Sequence, residues 1–133
     1  MPGEDHLRTL LRYMKPEMQD GTFVFCSLPH GQNVPAELTP VLVFSEREGT
    51  ALIVRQDEAE RATLPSEFAS RMITLNVHSS LEAVGFLAAV TARLADAGIS
   101  VNAVSAFHHD HLFVPEHRAG DALRLLQEMQ DQS

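Results

Sequence analysis

Apolar positions along the chain fall into short segments, each with its own period. Leu7, Leu10, Leu11 and Met14 recur at i, i+3, i+4 and i+7, the spacing that lines one face of a helix. Asp5 is expected to cap that helix and Pro16 to end it. Gly21-Thr22-Phe23-Val24-Phe25-Cys26-Ser27-Leu28 is rich in β-branched and aromatic residues and apolar at its centre, which predicts a buried strand. Pro29, Gly31, Asn33 and Pro35 then mark a loop. Val41–Phe44 and Ala51–Val54, joined by a polar link containing Gly49, predict a hairpin, although the first run is short enough to be a helix instead. From Asp57 to Pro65 the chain is charged and aperiodic, either a short helix capped by Asp57 or a solvated connector. It is the expected boundary between two halves, 1–64 and 65–133.

The second half has stronger periodicity. Ile73, Leu75 and Val77 alternate with Thr74, Asn76 and His78, predicting a strand over 72–78. Ser79-Ser80-Leu81-Glu82 matches a capping box and predicts a helix start. That helix should carry Val84, Leu87, Thr91 and Leu94 on one face and stop at Gly98. Ile99–Phe107 predicts a strand with Ile99, Val101, Ala103, Ser105 and Phe107 on one side, and His111–Val114 predicts another. Ala119, Ala122, Leu123, Leu126 and Met129 define a last amphipathic helix. The order β-α-β-β-α, with a right-handed crossover followed by a hairpin, is most of a ferredoxin-like βαββαβ unit and lacks only the final strand. No apolar run near Gln132-Ser133 supplies it, so a strand from the first half, residues 22–28 or 50–55, is expected at that edge. The fold class is therefore α+β, with a ferredoxin-like second half that shares a strand with the first.

Ten Lys+Arg against eighteen Asp+Glu give a net charge of −8, which argues against nucleic acid or an anionic bilayer as partner. A hydrophobic content of 44% is that of a chain with a core. Cys26 is the single cysteine and cannot form an intramolecular disulfide. No apolar run approaches the roughly 20 residues of a membrane span, and the N-terminus carries no signal-like segment, so a cytoplasmic protein is expected.

Three stretches, Ile73-Thr74-Leu75-Asn76-Val77-His78-Ser79-Ser80-Leu81-Glu82-Ala83-Val84-Gly85, Ala97-Gly98-Ile99-Ser100-Val101-Asn102 and His109-Asp110-His111-Leu112-Phe113-Val114, resemble the ACT domain. More narrowly, the chain resembles small bacterial proteins that carry two ACT-like units in tandem. The likeness is strongest over 72–126 and in the first half rests on Phe44-Ser45-Glu46-Arg47-Glu48-Gly49. It implies a small-molecule sensor, often for amino acids, that binds its ligand where two units pair and has no attached enzyme domain. The Asp, Pro and Gly common at the first strand-to-helix turn of such domains are replaced here by Ser79 and Ser80 leading to Gly85.

The Ser79–Gly85 turn is the first candidate site. A helix start offers unpaired N–H groups and a partial positive charge to a carboxylate, and Gly85 permits close approach, whereas the plain alternative is a capped helix packed on a strand. The expected ligand contacts are Ser79, Ser80, Glu82, Val84 and Gly85 on the turn and Ser100, Val101 and Asn102 on the following strand. Four of the seven histidines, His108, His109, His111 and His117, cluster near the last strand; His109 and His111 at strand spacing would share a face suited to a metal. The alternative is a turn in which Asp110 caps local N–H groups. His78 either meets a carboxylate or is structural, and Cys26 reads as a small core hydrophobe. Glu46 and Glu48 form either an acid/base pair or a solvated tip.

No phosphate loop, nucleophile elbow or metalloprotease helix is present, so neither a catalytic residue nor a cofactor is expected. Three readings follow. The first is a non-enzymatic regulatory module binding an amino acid or similar small carboxylate at an interface of a homodimer. The second is an interaction module that holds a partner protein without a small ligand, and the third a histidine-based metal protein.

Overall fold

The computed structural model describes Gly3 and residues 6–133. Its elements run α1 (Leu7–Arg12), β1 (Pro16–Met18), β2 (Phe23–Leu28), β3 (Leu42–Glu46), β4 (Gly49–Arg55), α2 (Gln56–Arg61), β5 (Glu67–Leu75), α3 (Phe86–Asp96), β6 (Asn102–Ser105), β7 (Asp110–Pro115), a 3-10 turn (Glu116–Arg118) and α4 (Ala119–Asp131). The fold is α+β and divides into two compact units: Gly21–Ser70, and the chain up to Asp20 together with Arg71–Ser133. Strand β5 contributes its first residues to the one and its last to the other.

In the unit Gly21–Ser70 the strand order is β3-β4-β2 followed by the start of β5, where Phe23 lies opposite Ser70 and Phe25 opposite Glu67. The succession strand, loop, hairpin, helix, strand is the ferredoxin-like pattern with residues 29–41 in place of its first helix. Val24, Cys26 and Leu28 alternate along β2 into a core shared with Leu52, Val54, Ala59 and, from the loop, Leu38. Leu38 is held there because the Thr39 N–H donates to the buried Glu58 carboxylate at 2.6 Å. Asp57 does not cap α2: the cap position is Arg55, and Asp57 sits within the first turn, paired with Arg61 at 3.1 Å.

The hairpin has a two-residue tip, Arg47-Glu48, because Glu46 pairs with Gly49. Gly49 adopts φ +152°, and a Cβ there would stand 2.0 Å from the Leu28 carbonyl oxygen. Glycine is thus the residue that fits this close approach of two backbones.

In the other unit the order is β5-β7-β6, with β1 on the free side of β5. Pro16, Glu17 and Met18 lie antiparallel to Leu75, Thr74 and Ile73, so the strand missing from the C-terminal sequence pattern is supplied by residues 16–18. Of the expected sources, 22–28 and 50–55, the first does lie beside β5, but only at its start, where Phe23 faces Ser70 and Phe25 faces Glu67, while residues 50–55 pair with β2 and β3 instead. Pro16 lacks an N–H and so fits only the end of an edge strand such as this one. Ile73 and Leu75 of β5 and Leu112 and Val114 of β7 form the floor of the core, and Leu10, Met14, Phe86, Val90, Leu94, Ala119, Ala122, Leu125 and Leu126 cover it from the helices and their flanking residues. The predicted first helix is α1; its cap position is His6 without a side-chain cap bond, and Asp5 lies outside the described residues.

The capping box does not open a helix: α3 begins only at Phe86, after Gly85 at φ +89°. The Ser80 hydroxyl accepts the Glu82 N–H at 3.1 Å, a local serine turn that competes with helix formation. The buried face of α3 is accordingly Phe86, Val90 and Leu94, while Val84 precedes the helix and is 84% exposed. The strand expected over 99–107 is confined to Asn102–Ser105, with Ile99 buried ahead of it.

Candidate functional site

The connection from β5 to α3 and the turn from β6 to β7 lie side by side in the C-terminal unit. Strand β5 ends at Leu75, and the chain loops inward so that Ser79, only 8% exposed, reaches the first residue of β7. There the Ser79 hydroxyl donates to Oδ2 of Asp110 at 3.2 Å, and Asp110 is itself 7% exposed. Among the described residues Ser79 is the one partner of that carboxylate. The chain then turns through Ser80 to Ala83, whose N–H donates to the Ser80 carbonyl at 3.0 Å, and enters α3.

Between these segments is a cleft of about 80 Å³. Ser79, Ser80, Leu81, Ala83, Phe86 and Leu87 wall one side; Ser105, Ala106 and Asp110 wall the other. Nucleotide or drug-sized sites enclose roughly 300–1,000 Å³, so this cleft suits a ligand of a few heavy atoms. The first turn of α3 faces it through Phe86 and Leu87, and no side chain caps that helix. Its leading N–H groups therefore keep their capacity to bind an anion, reinforced by the positive end of the helix dipole. A buried carboxylate and a helix N-terminus thus bear on one small cleft.

Of the residues expected from sequence, Ser79 and Ser80 line the cleft. Glu82 and Val84 are exposed on the same turn, and Gly85 supplies the left-handed bend that starts α3. Ser100 and Asn102 are exposed and Val101 packs against the core. Ser100 and Val101 precede β6 and Asn102 opens it, whereas the cleft is met by its other end, Ser105. Sequence reasoning did not assign Asp110 to the site. The available signal is a polar residue two positions ahead of the apolar run Leu112–Val114, a pattern that a turn cap shares.

The histidines form a neighbouring group. The rings of His78 and His108 lie 5.1 Å apart, those of His108 and His109 6.2 Å, and those of His109 and His111 6.4 Å. His109 precedes β7 and so does not share a strand face with His111. Nδ1 of His109 is 3.3 Å from the Val77 carbonyl, and Nδ1 of His111 is 3.0 Å from the Thr74 hydroxyl, which also accepts from Gln19. Burial, then the neighbouring His109, hold the His111 pKa below its ordinary value, against a weaker opposite pull from Asp110. Among the described residues no three His, Cys, Asp or Glu side chains stand close enough to hold a metal ion. Cys26 is a core residue whose thiol pKa is pushed up by burial. Glu46 and Glu48 are exposed beside the hairpin tip. No helix among the described residues is long and apolar enough to cross a membrane.

Residues 2–71 match one family model of an ACT domain and residues 67–128 match a second. A solved protein of unknown function from Vibrio cholerae, described as a possible transport protein, is 40% identical over 93% of this chain and 95% of its own, with a TM-score of 0.84. A protein from Agrobacterium tumefaciens, 16% identical over 86% of this chain and 87% of its own, has a TM-score of 0.72. The regulatory subunit of aspartate kinase from Thermus thermophilus, 11% identical over 86% of this chain and 95% of its own, has a TM-score of 0.66. The last two likenesses are of fold. No curated protein matches the chain.

Proposed function

Since the chain belongs to the ACT domain family and carries two such domains in tandem, we propose that it is a non-enzymatic regulatory module that binds an amino acid or similar small carboxylate. The observation that carries this reading is the small cleft at the uncapped start of α3. A carboxylate placed there meets helix N–H groups, with the Ser80 side of the turn beside it. Likeness in fold to a regulatory subunit of aspartate kinase supports a regulatory role over a catalytic one.

The rim of the cleft supports pairing of two copies. Leu81 and Val84 on one turn and Phe107 on the other are 68%, 84% and 69% exposed, apolar surface that a second copy would cover. Ligand binding would then bias the paired state, coupling a small molecule to assembly.

Melting curves with each standard amino acid test the proposal, because a ligand at 100 times its Kd adds about 2.7 kcal/mol of stability. A reproducible rise with one amino acid or a small chemical class is expected. Flat curves throughout, confirmed by calorimetry, refute it.

A further inference from the structure

We infer that His78 and His108 form one half of a zinc site whose other half is the same pair from a second copy of the chain. The inference goes beyond the proposed function and shares with it only the surface on which two copies meet; it does not depend on which small molecule the cleft takes.

The histidines differ in what already engages them. Nδ1 of His109 is held by the Val77 carbonyl and Nδ1 of His111 by the Thr74 hydroxyl. His78 and His108 have no side-chain hydrogen bond among the described residues, and what each touches is a ring. Their ring centroids lie 5.1 Å apart, with His78 half-buried on the connection after β5 and His108 exposed on the turn between β6 and β7. Phe107 meets the His108 ring edge-on at 4.9 Å and limits its swing. Two imidazoles whose nitrogens are unspent, brought together from separate segments, are the donor type that a borderline divalent cation prefers.

Their separation selects the metal. With metal–nitrogen bonds of about 2.0–2.1 Å and a ring centre about 1.1 Å beyond the nitrogen, two imidazole centroids stand about 5.1 Å apart at a tetrahedral angle and about 4.5 Å at the right angle of a square-planar site. The observed 5.1 Å is the tetrahedral value, the geometry of zinc. The pairs His108–His109 and His109–His111, at 6.2 and 6.4 Å, are too far apart for either.

Two ligands do not complete a tetrahedral site, and among the described residues no third His, Cys, Asp or Glu joins them. A twofold axis beside the pair supplies the remainder, because a symmetric dimer doubles each ligand and two imidazoles per chain become four per metal. The segments that carry the pair suit such an axis. Phe107, next to His108, and Leu81 and Val84, on the connection that holds His78, are 69%, 68% and 84% exposed, apolar surface that pairing removes from water. Each chain has a formal net charge of −8, so the approach of two copies is opposed by repulsion, and a divalent cation on the axis offsets part of it.

The test uses the full chain, stripped with a chelator and titrated with zinc alone, read by sedimentation velocity and by competition with a chromophoric chelator. Uptake of one zinc per two chains is expected, with the dimer tightened at least tenfold. His108→Ala, a change at an exposed residue, should weaken zinc uptake by tenfold or more and remove its effect on association, while His117→Ala, exposed and outside the pair, should leave both unchanged. Where the metal-free chain is already a dimer, the half-molar stoichiometry and its loss in His108→Ala decide. No uptake, one zinc per chain without a change in association, or an unaltered response in His108→Ala overturns the inference. Amino-acid melting curves recorded without metal are read separately: a chain that takes zinc in this way but answers to no amino acid removes the proposed function alone, and one that answers to an amino acid but takes no zinc removes this inference alone.

Discussion

The bond between Ser79 and Asp110 makes a stability prediction that can be worked in numbers. Ser79→Ala deletes the one protein donor to a carboxylate that is 7% exposed, and it does so without altering the backbone pairing of Asp110 with Ser105. Hydrogen bonds to a charged group contribute about 1.5–3 kcal/mol, and a buried acceptor left unpaired loses a comparable amount. Because the carboxylate borders a cleft, water can enter in place of the hydroxyl, so the lower end applies, about 1.5 kcal/mol. Unfolding entropy of about 2.1 cal/mol/K per residue over 133 residues gives roughly 0.28 kcal/mol/K, and the expected fall in Tm is about 5 °C for a single transition. Scanning calorimetry of the native chain, Ser79→Ala, Asp110→Asn and the double variant reads it. The two changes should be non-additive by about 1 kcal/mol, since each removes one end of the same contact. Additivity within about 0.3 kcal/mol, or a Tm change in Ser79→Ala below about 1 °C, would refute the argument that Ser79 holds the buried charge.

Two more predictions concern other parts of the molecule. Gly49→Ala should destabilise by more than the 1–2 kcal/mol or so of a strained backbone alone, because its Cβ would also collide with the Leu28 carbonyl oxygen at 2.0 Å; urea melts measure it, and a variant as stable as the parent overturns the steric account. His111 is held neutral by burial, so the unfolded chain takes up its proton more readily than the folded one. Its stabilising share is complete above the ordinary imidazole value of about 6.5 and is lost as pH falls below it. His111→Gln should therefore lose less stability than the native chain between pH 7.5 and 5 in chemical denaturation, and parallel pH profiles would count against the assignment.

How far these features could be read in the sequence depended on whether a local pattern met competition. Leu10 and Met14, Ile73 and Leu75, and Leu126 were placed correctly because periodic apolar residues have one economical resting place, the core. Ser79-Ser80-Leu81-Glu82 carries a capping-box pattern without opening a helix because the same hydroxyls that cap a helix can satisfy a turn, and here Ser79 bonds the distant Asp110 while Ser80 bonds Glu82. No local spacing encodes a bond between residues 79 and 110. Residues 16–18 carry no strand signal of their own, because a three-residue edge segment of Pro, Glu and Met has neither alternation nor β-branched residues; pairing with β5 defines it. The candidate site was legible on its Ser79–Ser80 wall, where the family likeness and the turn coincide, and illegible on its Asp110 wall.

The place of β1 has a consequence for synthesis. Leu10, Met14 and the strand Pro16–Met18 leave the ribosome early, yet the surfaces that bury them, β5, β7 and α4, lie after residue 70. At about 5–20 residues per second, the interval between Met14 and Leu126 is on the order of ten seconds. Once Ser70 has emerged, Gly21–Ser70 holds all the strands of its own order, while Leu10, Met14 and Pro16–Met18 still wait for their partners. Native contacts that span most of the chain slow folding, so the C-terminal unit is the one exposed to chaperones and to association with other nascent chains, and closure of the N-terminal segment onto β5 is the event that ends this exposure.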